Sequence, residues 1–260
     1  MKFLLVTILF LSVNAFAKIK TQTVEYKDGE TILQGAVVFD TAFAKKNKKL
    51  PGIIIVHNWM GVGEYVMMRA EQMAKLGYVA FVADIYGKGI HPKDTNEAGA
   101  LAGKYKAGER KEMRSRATAA YNTLASNKLV NVNKIAAMGY CFGGTVALDM
   151  ARIGLPLTGV ISFHGGLAGA KPDDAKSIRT KLLVLHGAID PYVPGAEVLQ
   201  FVKELNDNKV NYEFVSYSGA VHAFTEKAMG DDISKGAAYN EQADLRSFIA
   251  LQNFLTEVNK

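Results

Sequence analysis

One segment constrains the fold of this chain more than any other. The apolar run Lys134-Ile135-Ala136-Ala137-Met138 leads into Gly139-Tyr140-Cys141-Phe142-Gly143-Gly144, and Thr145 to Ala151 then reads as helix. The pattern predicts a strand, a tight turn and a helix with a nucleophilic atom at the apex. It is the Gly-x-nucleophile-x-Gly elbow with sulfur in place of oxygen. A nucleophile on so sharp a turn leaves no room for side chains two residues to either side, where the backbone folds against itself. The helix that follows aims its N-terminus at the sulfur, which favours thiolate over thiol.

The remaining chain supplies a frame for such an elbow. Thr21–Tyr26 and Thr31–Val38 alternate apolar and polar residues around Lys27-Asp28-Gly29-Glu30 and predict an antiparallel hairpin. Gly52-Ile53-Ile54-Ile55-Val56-His57 is a continuous β-branched run, as in a strand covered on both faces. Further strands are predicted at 78–83, 135–140, 159–163, 181–186 and 212–217. Helices are predicted at 64–76, 96–105, 111–125, 196–206 and 237–258. This alternation predicts an α/β fold: a mostly parallel central sheet, helices on both faces and an N-terminal antiparallel hairpin. Gly87-Lys88-Gly89-Ile90-His91-Pro92 is irregular and suits a mouth over the site.

The first 17 residues read as a signal peptide. Lys2 is the charged start, Phe3 to Val13 the apolar core, and Ala15-Phe16-Ala17 a small-x-small cleavage site. The apolar run is too short to span a bilayer. The expectation is one domain over residues 18–260, exported to the periplasm or secreted, with no stable membrane insertion after signal removal. Cys141 is the one cysteine, so no internal disulfide can form. A lone thiol in an oxidising space points to a reactive role or to burial, and the flanking glycines favour reactivity. The chain is basic, with a net charge of +6, yet its lysines are scattered apart from Lys45-Lys46-Asn47-Lys48-Lys49. That cluster reads as a solvated loop. Without aromatic interleaving or a recognition motif, nucleic acid is not an expected partner.

In open parallel sheets, reacting groups gather beyond the carboxyl ends of the strands. Cys141, Asp190 and His222 each follow a predicted strand, in the nucleophile–acid–histidine order of the α/β-hydrolase triad. Free cysteine titrates near pH ~8.5, so it needs a base to be nucleophilic at neutral pH. His222 is assigned as that base and as the later acid, and Asp190 as the carboxylate that fixes its tautomer. The backbone N–H groups of Phe142 and Trp59 are the expected oxyanion donors. His164, which precedes the acid, is the alternative base. His57 and His186 end apolar strands and read as packed, His91 reads as exposed, and Asp84 reads as structural. Neither a His-x-x-x-His pair nor Cys-x-x-Cys is present, and there is no phosphate-binding loop. No metal-ligand set and no nucleotide-binding motif is visible in the sequence.

With these residues in place, the chain resembles the dienelactone hydrolase family, in its exported branch. The resemblance rests on Gly139 to Gly144, Phe163-His164-Gly165-Gly166, Leu185 to Pro191, Gly219-Ala220-Val221-His222-Ala223-Phe224 and Ala238 to Asp244. It implies an α/β-hydrolase fold without a cofactor, and hydrolysis of small carboxylic esters or lactones through a cysteine acyl-enzyme. It carries the triad roles onto Cys141, Asp190 and His222. Asn58, His164 and Phe224 are candidate pocket residues. A thioesterase or acyl-transfer enzyme with the same triad, and a non-catalytic binding protein on this scaffold, are the alternatives. Two positions depart from the family pattern. Asn58 stands where the family has a glutamate that helps activate the thiol. Glu226 stands where the dienelactone enzymes carry a carboxylate-binding arginine, and Glu97 to Lys106 lacks arginine as well. An uncharged ester is therefore the easier substrate to accommodate.

Overall fold

The structure is a computed structural model that describes residues 18–260. The signal peptide expected over residues 1–17 lies outside the described residues. In chain order the elements are β1 (Ile19–Asp28), β2 (Thr31–Asp40), α1 (Thr41–Lys46), β3 (Leu50–Val56), α2 (Glu64–Lys75), β4 (Val79–Ala83), α3 (Thr95–Lys106) and α4 (Lys111–Ala125). There follow β5 (Val130–Tyr140), α5 (Phe142–Arg152), β6 (Gly159–Phe163), β7 (Lys181–Gly187), α6 (Gly195–Asp207), β8 (Tyr212–Tyr217) and α7 (Glu241–Val258).

The eight strands form one sheet in the order β1-β2-β4-β3-β5-β6-β7-β8. β1–β2 and β2–β4 pair antiparallel, and every other pairing is parallel. β3 shows why the sheet is covered on both faces. Side chains alternate across a strand. Ile54 and Val56 join a core under α3, α4, α5 and α6, while Ile53 and Ile55 join a second core under α2 and α7. After β4 the chain reverses its direction of travel and re-enters the sheet at β5, on the other side of β3. Such a switch opens a crevice beyond the strand ends. The loop carrying Trp59 leaves β3 there, and the turn carrying Cys141 leaves β5 beside it.

Two details differ from the pattern read in the sequence. Helix α1 occupies a stretch read as loop. Asp40 caps it by accepting from the Ala42 N–H at 2.7 Å, and Lys45 and Lys46 sit in its last turn, which suits the helix dipole. The final helix begins at Glu241 rather than Ala237. Asn240 caps it, its side chain accepting from the Ala243 N–H, and Ala237 instead forms a parallel bridge with His222. Among the described residues no helix is long and apolar enough to cross a membrane.

Candidate active site

The turn at Cys141 depends on its glycines. A Cβ on Gly139 would meet the Gly143 carbonyl oxygen at 1.9 Å, and one on Gly143 would meet the Val56 oxygen at 2.3 Å. Cys141 itself takes φ 56° and ψ −116°, a conformation that costs a non-glycine residue about 1–3 kcal/mol. Its N–H donates to the Phe163 oxygen at 3.0 Å, and its carbonyl accepts from Gly144 at 3.0 Å and from Thr145 at 3.3 Å. The strain is therefore held by β6 on one side and by the first turn of α5 on the other. Of the five non-glycine residues with positive φ among the described residues, Cys141, His164 and Ala223 all lie at this site.

The structure brings Cys141 and His222 to the wall of one cavity of about 310 Å³. Asp190 lies directly behind the histidine. The Nδ1–H of His222 donates to Asp190 Oδ2 at 2.8 Å, which leaves Nε2 as the working nitrogen. The other carboxylate oxygen, Oδ1, accepts from the Tyr192 N–H at 2.8 Å, so the acid cannot rotate freely. His222 is pinned through its backbone as well: its N–H donates to Gly236 and its carbonyl accepts from Ala238. The peptide groups on either side of Ala237 thus hold the His222 backbone in place. Burial alone would push the His222 pKa down. The neighbouring Cys141 sulfur and the Asp190 carboxylate outweigh it and push the value up to about 10. The N–H groups of Trp59 and Phe142 find no backbone acceptor among the described residues, and both residues line the cavity.

Asn58, His164 and Phe224 stand behind the wall rather than on it. Phe224 is fully buried, with its ring against His164 and Tyr217. His164 Nε2 bonds Thr225 Oγ1 at 2.8 Å, and burial together with the adjacent His222 pushes its pKa well down. Its other nitrogen, Nδ1, is buried and has no hydrogen-bond partner among the described residues. Asn58 is buried and orients another residue. Its Oδ1 accepts from the Met60 N–H at 2.9 Å, which fixes the amide so that Nδ2 donates to both carboxylate oxygens of Glu226, at 3.0 Å each.

Glu226 is the residue that the sequence did not place. It lines the cavity together with Cys141 and His222, and it is 9% exposed. Burial pushes its pKa up, against the hydrogen bonds from Asn58 and the fields of His222 and Arg69. The segment that carries it is fastened from behind. Thr225 Oγ1 meets the Tyr65 hydroxyl at 2.7 Å, the Thr225 carbonyl accepts from Arg69 at 2.9 Å, and Arg69 pairs with Asp244 at 2.6 Å. The rest of the cavity is mostly apolar, with Val193 and Met229 among its walls. Lys106 stands at its exposed rim on α3.

The histidines that end β3 and β7 are packed. His57 Nδ1–H donates to the Asn58 carbonyl at 2.6 Å and Nε2 accepts from the Ile85 N–H at 3.1 Å, so both ring nitrogens are used. His186 is buried against Phe214. Asp84 accepts from the Gln34, Tyr86 and Gly87 N–H groups, joining β2 to the loop after β4. Among the described residues no group of three or more His, Cys, Asp or Glu side chains is placed to hold a metal ion.

Comparison with known proteins places the chain in one family. A model described as "Dienelactone hydrolase family" matches residues 39–259. A probable 2-oxo-3-(5-oxofuran-2-ylidene)propanoate lactonase of Bradyrhizobium is 28% identical over 188 residues, covering 68% of this chain and 75% of that protein. An uncharacterized protein of Caenorhabditis elegans is 32% identical over 148 residues, covering 56% of this chain and 94% of that one. Among solved structures, a dienelactone hydrolase-like promiscuous phosphotriesterase from metagenomic libraries superposes with a TM-score of 0.86 at 33% identity. The superposition covers 92% of this chain and 98% of that one.

Proposed function

Because the chain belongs to the dienelactone hydrolase family, which acts on ester and lactone bonds, we propose that it cleaves small carboxylic esters or lactones through an acyl-enzyme on Cys141. The observation that carries this reading is the Asp190–His222 hydrogen bond of 2.8 Å, with His222 lining the same cavity as the strained, glycine-framed Cys141. Family membership favours an enzyme over a binding protein on the same scaffold. A thioesterase would use the same steps.

The Cys141 thiolate attacks the carbonyl carbon and forms the C–S bond, while the carbonyl π pair moves onto oxygen. The N–H groups of Phe142 and Trp59 receive that oxyanion, and donors of this kind contribute about a hundredfold or more each. The oxyanion then collapses and breaks the C–O bond. The leaving alkoxide takes the proton that His222 holds, so the ring is left neutral. A water molecule gives a proton to His222 and adds to the thioester carbonyl. Collapse of this second intermediate breaks the C–S bond, the acid departs, and the thiolate–imidazolium pair is restored. Asp190 stays ionised throughout and stabilises the charged ring.

Incubation with p-nitrophenyl acetate and intact-mass measurement tests the scheme. The expected result is a transient mass increase of one acetyl group, mapped to Cys141, together with sustained nitrophenolate release. Turnover with no adduct in rapidly quenched samples, and with activity intact in Cys141→Ala, would falsify the acyl-enzyme. The reading also takes the protein as exported. Its support is the charge–apolar–cleavage order of residues 1–17, and an N-terminus at Lys18 in protein recovered from the producing cell's exterior or periplasm tests it.

A further inference from the structure

We propose that Glu226, aimed into the cavity by Asn58, is a charge filter: it favours substrates that are uncharged or cationic and turns away those with a free carboxylate. The inference deepens the ester-hydrolase reading and rests on it for the class of molecule that enters.

The geometry indicates an ionised acid. Asn58 Nδ2 lies 3.0 Å from both oxygens of Glu226 and shares its donation between them, and its orientation is fixed by the bond from the Met60 N–H to its own oxygen. A carboxylate accepts from that nitrogen equally well at either oxygen, whereas a protonated carboxyl accepts well at only one. No ion pair relieves this charge. Arg69, the nearest cation behind the wall, is already spent on Asp244 and the Thr225 carbonyl. Lys106 is the other fixed charge on the lining, but it stands in solvent at the rim, where its field is screened. His222, when charged, lies between Asp190 and the Cys141 sulfur and is balanced by them. An anionic substrate group entering the cavity thus meets a buried acid with no matching cation. An uncharged group meets mostly apolar wall, and a cationic group meets an acceptor.

Asn58 and Glu226 are also mutually required. A carboxylate in place of the Asn58 amide would take away the donor and set two acids against each other, which disfavours ionising both.

The test uses the mature chain and its one cysteine, so every label reads this cavity. Three methanethiosulfonates of similar size are compared: a trimethylammonium-ethyl, a neutral alkyl and a sulfonato-ethyl reagent. In each, the thiolate attacks the sulfenyl sulfur, a disulfide forms and methanesulfinate leaves. The expected result is a cation-to-anion rate ratio that falls about tenfold on Glu226→Gln, in the range Coulomb's law allows for one partly screened charge. A ratio unchanged by Glu226→Gln, or moved further by Lys106→Gln than by Glu226→Gln, overturns the proposal. The unmodified protein gives a second reading that needs no variant to fold. The ratio should fall as pH is lowered and Glu226 takes up its proton, with Asn58, His222, Arg69, Tyr65, Tyr140 and Lys106 as the groups that face it. A ratio flat to pH 4 overturns the proposal.

The same comparison is then made with p-nitrophenyl esters of butyrate, glutarate and 4-trimethylammoniobutyrate. Glu226→Gln should raise kcat/KM for glutarate relative to butyrate about tenfold, chiefly through KM. Reagent ratios that behave as stated while no ester is turned over would overturn the acyl-enzyme reading alone and leave the filter standing.

Discussion

Helix α5 has buried charge at both ends, and the two sites are built differently. Toward its C-terminal half, fully buried Asp149 meets Arg110 at 3.0 Å, Arg114 at 2.8 Å and Arg152 at 3.3 Å. Arg114 also forks onto Asp174, and Arg152 reaches Glu204 and the Leu167 carbonyl. Each acid there has a guanidinium, and the group ties α4, α5, α6 and the 167–174 segment together. At the N-terminal end the charges are deliberately under-matched. His222 has one fixed acid, and Glu226 has an amide in place of a cation. Matched charge inside a protein specifies architecture. Charge left short of a partner stays available to whatever enters, and its protonation can be shifted.

Breaking each site should therefore produce different losses. The largest is expected at the nucleophile. Cys141→Ala should lower kcat/KM by at least about 10⁴-fold, roughly 5.5 kcal/mol of transition-state stabilisation, while the melting temperature shifts by only a few degrees. Ester turnover and calorimetry on the same preparation check this. Next comes Asp149→Ala, which leaves three arginines around a buried hole. A loss of about 3–5 kcal/mol in unfolding free energy is expected, with kcat/KM per folded molecule within a few-fold. If Asp149→Ala silenced the enzyme while leaving its stability intact, the division drawn here between the two ends of α5 would fail.

The imidazole gives a smaller effect with a sharper signature. With the pair intact, the proton remains on His222 up to about pH 10. Alkylation by iodoacetamide should then stay fast in mildly acidic solution. His222→Ala should slow it there, because no neighbouring base then remains to take the thiol proton. Overlapping rate–pH curves for the two proteins would show that the ring does not hold that proton.

The same contrast explains what the sequence could and could not reveal. The β-branched run of β3 and the glycine frame of Cys141 were legible because they are local: sterics and periodicity act between residues a few positions apart. The order Cys141, Asp190, His222 was legible because each residue follows a strand, and strand ends converge on the crevice beside β3. Glu226 was visible only as an acid where an arginine would fall. Its partner Asn58 lies 168 residues away, and nothing in the spacing joins them. His164 and Phe224 sat beside the right strands but turn into the hydrogen-bonded and aromatic layer behind the wall. The helix expected from Ala237 failed for a related reason. Ala237 and Ala238 favour helix by local propensity, but here the Gly236 carbonyl and the Ala238 N–H are used to hold His222.

The finest expected difference is thermodynamic. Burial raises the pKa of Glu226 above its value in the unfolded chain. An acid shifted in this direction contributes its stability at low pH, where both states are protonated. It loses that contribution as pH rises through the folded value, because the unfolded chain gives up its proton more readily. Glu226→Gln removes the titration and keeps an oxygen for Asn58 to donate to. At pH 4 the variant and its parent should melt together. At pH 8 the variant should melt higher than its parent. The buried arginine cluster offers the control. Asp174 is shifted the other way, its carboxyl held low against burial by Arg114 and the backbone donors at Ala170 and Lys171. Asp174→Asn should cost stability at pH 8, and the cost should shrink as pH falls through the ordinary carboxylate range toward the depressed folded value. Opposite slopes for these two substitutions are what separate a charge kept for chemistry from a charge kept for architecture. Parallel slopes would mean that Glu226 is simply another structural acid.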